Sequence, residues 1–197
     1  LLIGDDFRFG AKRAGDFALL NEAGTKLGVE VEAMHSVTLD DLRVSSTAVR
    51  QALAGGDLSL ASRLLGRPYS ISGRVEHGES LGHKIGFPTA NIQLKHNRPP
   101  LWGIFAVEVA GLDEHPLQGA ASLGVRPTVT NNGLPTLEVH LFNFDRQIYN
   151  RHVRVDFLHK LRDEMKFPNL ETLTAQIAAD VGNAKNFFNA RQSALLK

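Results

Sequence analysis

The chain has 197 residues, enough for one well-packed domain or for a small domain joined to a fragment of another, and it sets 22 lysines and arginines against 21 aspartates and glutamates. Charge so nearly balanced leaves no sequence-wide field to hold nucleic acid or an acidic membrane surface. Cysteine is absent, which excludes disulfides and thiolate zinc sites and suits a reducing cytoplasm, and no apolar run approaches the ~20 residues of a membrane-spanning helix.

Leu1-Leu2-Ile3 before Gly4-Asp5-Asp6 reads as a buried strand running into a loop, and the opening leucine in place of methionine points to a chain that continues upstream. From Asp16 to Leu27, residues Phe17, Leu20 and Leu27 fit one side of a helix, and Val29 to Ala33 then reads as a strand. That order predicts an α/β segment. Ser45 or Ser46 can cap a helix carrying Val49 and Leu53, which Gly55-Gly56 ends. Asp57 can cap another carrying Leu60, Ala61, Leu64 and Leu65, before Gly66-Arg67-Pro68 breaks the pattern.

Beyond Pro68 the apolar period becomes two: Ile71, Gly73 and Val75, then Phe105, Val107 and Val109, then Leu137, Val139 and Leu141, then Val153, Val155 and Phe157. Short strands divided by Gly, Pro and Asn predict an antiparallel barrel or sandwich. Asn169 can then cap a last helix with Leu170, Leu173, Ile177 and Val181 on one stripe, followed by Phe187 and Phe188, lying across that barrel. The change of period near Gly66 predicts two domains, 1–66 and 67–197.

The richest stretch runs from His77-Gly78 through Gly82-His83-Lys84-Ile85-Gly86 to Phe87-Pro88-Thr89-Ala90-Asn91. Gly78, Gly82 and Gly86 allow backbone amides to approach an oligophosphate, and His83 and Lys84 can add positive charge. The Gly-Lys-Ser/Thr ending of a P-loop is missing, and the same glycines would serve an ordinary hairpin. Pro88 stiffens the backbone before Thr89, and Thr89 and Asn91, two apart in an extended segment, face the same way. Their oxygens could share one magnesium ion with ATP, or simply cap a turn. Within Leu137-Glu138-Val139-His140-Leu141 the apolar residues point one way, Glu138 and His140 the other. Glu138 could be a general base for a hydroxyl, or one more charge on a wet face. Ser45, Ser46 and Thr47 at a helix N-terminus with Arg50 one turn in would suit a phosphate, and equally an N-cap. The eight histidines show no zinc-binding spacing.

Taken together, His77-Gly78, Gly86-Phe87-Pro88-Thr89-Ala90-Asn91, Gly124-Val125-Arg126-Pro127-Thr128, Leu137-Glu138-Val139-His140 and Leu161-Arg162-Asp163-Glu164 with Phe167 resemble the bifunctional bacterial riboflavin kinase/FMN adenylyltransferases over essentially the whole chain. The resemblance implies a six-stranded Greek-key barrel for the kinase domain. It also implies Thr89 and Asn91 on Mg-ATP with Gly78, Gly82, His83, Lys84, Gly86 and Pro88 around the nucleotide, Glu138 as the base on the riboflavin hydroxyl, and Arg162, Glu164 and Phe167 near the flavin. The family has Arg or Lys where His83 stands; a neutral imidazole makes a weaker phosphate contact, with Lys84 a substitute.

Gly4-Asp5-Asp6-Phe7-Arg8-Phe9-Gly10 and Val44-Ser45-Ser46-Thr47-Ala48-Val49-Arg50 resemble the tail of the adenylyltransferase half, in which Ser45, Ser46, Thr47 and Arg50 belong to the ATP motif. The family's His-x-Gly-His signature is nowhere in these residues, so FMN is the expected product, with little or no FAD. The partners implied are ATP and riboflavin, with no nucleic acid and no membrane, for a cytoplasmic monomer or weak homo-oligomer. A non-catalytic flavin-binding barrel is the alternative.

Overall fold

The computed structural model describes residues 1–78, 82, 85–94, 98–125 and 135–195. They form two compact units, Leu1–Ser45 and Ser46–Lys197.

In the first unit, β1 (Leu2–Gly4) pairs in parallel with β2 (Glu32–Met34), Leu2 opposite Glu32. A single 3₁₀ turn and α1 (Phe17–Leu27) connect them. The Asp16 carboxylate caps α1 by accepting from the Leu19 amide at 3.0 Å, and Gly28 ends it at φ 68°. The strand expected from Val29 starts later, at Glu32, because the Val29 amide donates back to the Gly24 carbonyl at 2.9 Å and completes the helix end. β3 (Thr38–Leu39) and β4 (Leu42–Arg43) form a hairpin whose two loop residues, Asp40 and Asp41, both have positive φ, the backbone a twisted two-residue turn requires. Leu1 and Leu2, expected in a buried strand, are about 60% exposed in this unit.

The second unit opens with α2 (Ser46–Ala54) and α3 (Leu58–Leu65), the latter capped by the Asp57 carboxylate on the Leu60 amide at 2.9 Å. Six strands follow: β5 (Tyr69–Glu76), β6 (Ala90–Ile92), β7 (Gly103–Ala110), β8 (Leu117–Val125), β9 (Pro135–Leu141) and β10 (His152–Arg162). They close into a wholly antiparallel barrel in the order β10-β5-β6-β9-β8-β7, so the meander β7-β8-β9 is flanked by two crossing connections, a Greek key. The six-stranded barrel expected from the resemblance is thus present. Alternate residues fill its interior, among them Val75, Ile92, Phe105, Val107, Leu123, Leu137, Val139, Val155 and Phe157. The space between Val75, Ile92, Val109, Val139 and Val153 admits no water.

Ala52, Leu53, Leu58 and Ala61 join this same core, with α3 packed on β10 and β5. The packing therefore divides the chain earlier than the change of period at Gly66 does, because α2 and α3 are helical in sequence yet bury their apolar faces on the barrel.

The last helix, α4 (Leu170–Leu195), is capped by Asn169, whose side-chain oxygen accepts from the Thr172 amide at 2.9 Å. It lies on the outside of the barrel, where Val181, Ala184 and Phe188 meet Ala106, Ala120 and Phe142. Ala106 and Ala120 are the small outward residues that let a helix axis come close, and they account for the unbroken buried run Phe105-Ala106-Val107 in β7. Leu170, expected on the buried stripe, is exposed, because the helix packs on the barrel cluster only from Ile177 onward.

Candidate active site

Strand β6 is short for a covalent reason. Pro88 has no amide proton to give a ladder, so pairing begins only at Ala90, with Asn91 opposite Glu76 on one side and Glu138 on the other. Before it the chain turns tightly: the amides of Ile85 and Phe87 both donate to the Gly82 carbonyl, at 3.3 and 2.8 Å, and Gly86 takes φ +85°. Two glycines are required by close approach. A Cβ on Gly78 would lie 2.1 Å from Asn91 Nδ2, and one on Gly82 would lie 2.3 Å from the Phe87 carbonyl oxygen and 3.3 Å from Thr89 Oγ1. The loop backbone therefore passes directly over Thr89 and Asn91. His83 and Lys84, like 126–134, lie outside the described residues.

Glu138 stands outward on β9, between Asn91 of β6 and Ser122 of β8. The Thr89 hydroxyl donates to Glu138 Oε2 at 3.3 Å, so the structure brings Thr89, Asn91 and Glu138 into one half-buried cluster. Because that hydroxyl spends its proton on the carboxylate, Thr89 Oγ1 keeps lone pairs with which it could hold a cation. Two neutral hard oxygens beside a carboxylate fit a magnesium ion that also takes phosphate oxygens and water. Among the described residues no cluster of three His, Cys, Asp or Glu side chains forms a cage for a metal by itself.

With this geometry in hand, the family is decided by a match of residues 65–188 to the riboflavin kinase (flavokinase) family model. The chain belongs to the riboflavin kinase family. Members of this family use ATP and riboflavin as substrates. A second family model, that of FAD synthetase, matches residues 1–48. The bifunctional riboflavin kinase/FMN adenylyltransferase of Haemophilus influenzae is 51% identical over 96% of this chain and 61% of its own length. That of Escherichia coli K12 is 49% identical over 98% of this chain and 62% of its own length. The chain thus spans about three fifths of the curated relatives it matches. The crystal structure of a macrolide-efflux protein from Streptococcus pneumoniae superposes with a TM-score of 0.73, at 32% identity over 93% of this chain and 59% of that one. That is a likeness of fold; among the described residues no helix is long and apolar enough to cross a membrane.

The flavin-side residues expected for a riboflavin kinase are at the end of β10 and just past it. Arg162 is committed to a clamp: its Nε and terminal nitrogen reach the two Asp180 oxygens at 2.6 to 3.2 Å, and its other terminal nitrogen donates to the Asp163 carbonyl at 2.8 Å. Its guanidinium carbon is 5.8 Å from the centre of the Phe167 ring, a cation–π contact. Glu164 lies against Gly124, where any Cβ would collide with its carboxylate. Although Glu164 is largely exposed, loss of water at that contact pushes its pKa above the ordinary glutamate value, while the Val125 amide and the Arg162 charge pull it down. Arg162 sits in register with Ile104, Ile104 with Ser122, and Ser122 with Glu138, so all four share the outer face around the barrel.

Of the adenylyltransferase motif, Ser45 closes the first unit, while Ser46 and Thr47 open α2 and Arg50 follows one turn on. Two residues of the kinase unit, Ser122 and Asp180, escaped the sequence reading. Ser122 flanks Glu138 from a strand rich in Gly and Ala that gives no clear alternation. Gly124, already part of a motif, gains a physical reason in the Glu164 carboxylate that rests on it. Asp180 did leave a signal: it is an acid between Ile177 and Val181 on the apolar stripe of α4, and such a group demands a buried partner.

Proposed function

We propose that this chain transfers the γ-phosphate of ATP to the 5′-hydroxyl of riboflavin, giving FMN and ADP. The single observation that carries the reading is the Thr89 hydroxyl donating to Glu138 at 3.3 Å with Asn91 in register beside them, on the outer face of a riboflavin kinase barrel. Phosphoryl transfer asks the protein mostly for positioning and charge. The Gly78 and Gly82 backbone lies close to the nucleotide's phosphates, Thr89 Oγ1 and the Asn91 side-chain oxygen hold the divalent cation, and Glu138 takes the proton of the flavin hydroxyl. A bound magnesium ion would supply the positive charge that draws the phosphate oxygens together. As the new oxygen–phosphorus bond forms, the bond from the γ-phosphorus to the bridging oxygen breaks, ADP leaves with that electron pair, and the hydroxyl proton ends on the Glu138 carboxylate.

On this reading Gly86 and Pro88 shape the turn that sets Thr89, His83 and Lys84 add charge toward the phosphates, and Glu164 and Phe167 border the flavin beside Arg162. Ser45, Ser46, Thr47 and Arg50 belong to FMN adenylylation in the complete bifunctional protein. The substrates are small cytoplasmic molecules, and the chain acts as a monomer or weak homo-oligomer. A flavin carrier without turnover has no use for a cation-facing hydroxyl bonded to a carboxylate, and it is not favoured.

The test is incubation with riboflavin and Mg-ATP followed by chromatography. FMN and ADP should appear in equal amounts, and FMN no higher than that made by the Glu138→Ala variant would overturn the proposal.

A further inference from the structure

The proline that opens the Pro-Thr-Ala-Asn turn lies just beyond the end of the β6–β9 ladder. β9 continues past Val139, the partner of Ala90, but β6 does not, so opposite His140 the ladder on that side has ended. The Pro88 carbonyl, which immediately precedes Thr89, has no strand amide opposite to donate to it. His140 supplies the donor: its Nδ1 is 2.9 Å from the Pro88 oxygen, and since a carbonyl only accepts, Nδ1 carries the proton. The ring's orientation is fixed by aromatic edges. Phe87 meets it at 5.6 Å and 78°, Phe142 at 5.9 Å and 63°, and Phe142 is itself set edge-on against Phe188 of α4 at 6.4 Å. Two residues earlier on the same face of β9, Glu138 receives the Thr89 hydroxyl. Thr89 is therefore held from both ends, by its own side chain and by the carbonyl before it.

Building on the kinase reading, we propose that His140 is a positioning residue for nucleotide and cation: its Nδ1–H gives the Pro88 carbonyl the donor that no β9 amide supplies, and so fixes Thr89 with its oxygen toward Mg-ATP. The donated hydrogen bond is what matters, and the imidazole touches no substrate.

Asparagine discriminates the bond from the bulk. Its side-chain nitrogen is the same number of bonds from Cα as Nδ1 of histidine, so His140→Asn keeps a donor for Pro88. His140→Leu keeps apolar volume and loses the donor. The leucine variant should raise the KM for Mg-ATP about tenfold, the ceiling set by one neutral hydrogen bond, with the riboflavin KM within about twofold of the parent and His140→Asn within about threefold for both. Mg-ADP binding by calorimetry on the same proteins should follow the same order. If the leucine variant does not fold, His140→Ala, which likewise offers no side-chain donor, takes its place. Equal losses in the asparagine and leucine variants, an unchanged nucleotide affinity in a folded donor-free variant, or parallel rises in both KM values would each overturn the proposal. Should the parent make no FMN, the kinase reading fails, while the ADP affinities still decide the role of His140.

Discussion

Replacing Asp180 by alanine should cost the second unit about 3 kcal/mol, the low end of the penalty for orphaning one partner of a buried ion pair. Asp180 is the buried charged residue on α4, with its side chain 6% exposed, and Arg162 opposite is 20% exposed. Three nitrogen–oxygen contacts of 2.6, 2.9 and 3.2 Å join them, and Gln176 adds a fourth contact to the carboxylate at 3.0 Å. Without the carboxylate, Arg162 Nε and one terminal nitrogen lose their acceptors where water reaches only a fifth of the side chain, and that partial access is why the lower figure applies. Asp180→Asn keeps shape and one acceptor, and should cost about 1 kcal/mol. Urea unfolding of the intact chain measures both, and the alanine loss should lower the Tm by about 6 to 12 °C for a unit of this size. The double change Arg162→Met with Asp180→Leu should recover most of the loss, since an apolar pair has no desolvation penalty to overcome. A loss below about 1 kcal/mol for Asp180→Ala, or a double variant as weak as the single, would refute the reasoning.

Glu138→Gln keeps an acceptor for Thr89 and removes the base, so kcat should fall by about 10² to 10⁴ while Mg-ADP still binds in calorimetry. Gly78→Ala would set a methyl group 2.1 Å from Asn91 Nδ2 and push that side chain off the cluster. Steady-state kinetics should then give a KM for Mg-ATP up by about tenfold, with the riboflavin KM unmoved. In the first unit, hydrogen bonds from the Ser36 hydroxyl and amide, helped by Arg43, hold the Asp5 carboxyl below its ordinary value. A depressed folded pKa contributes stability above the unfolded value of 3.8 that is lost as pH falls through the folded one. Ser36→Ala should raise the Asp5 midpoint in a carboxyl NMR titration, and an unmoved midpoint would contradict the assignment.

Local rules carried far in this chain. Asp16, Asp57 and Asn169 each cap the helix their position announced, because a cap is decided by a side chain and an amide three residues away. Strict alternation placed Leu137 and Val139 inside the barrel and Glu138 and His140 outside. β6 and β8 were not legible in this way: one is cut to three residues by Pro88, and the other is built of Gly, Ala and Ser because α4 or a neighbouring side chain presses on it.

The sequence by itself determined most of the elements and the residue types that could do phosphoryl chemistry, since each is set by chain-local periodicity or by a motif. Only the tertiary structure decided that Asn91 and Glu138 stand in register, that Arg162 is taken up by Asp180, and that His140 answers the Pro88 carbonyl. Those facts depend on which strands become neighbours when the barrel closes and where α4 lands on it. They join residues up to 52 positions apart, beyond the reach of any local pattern.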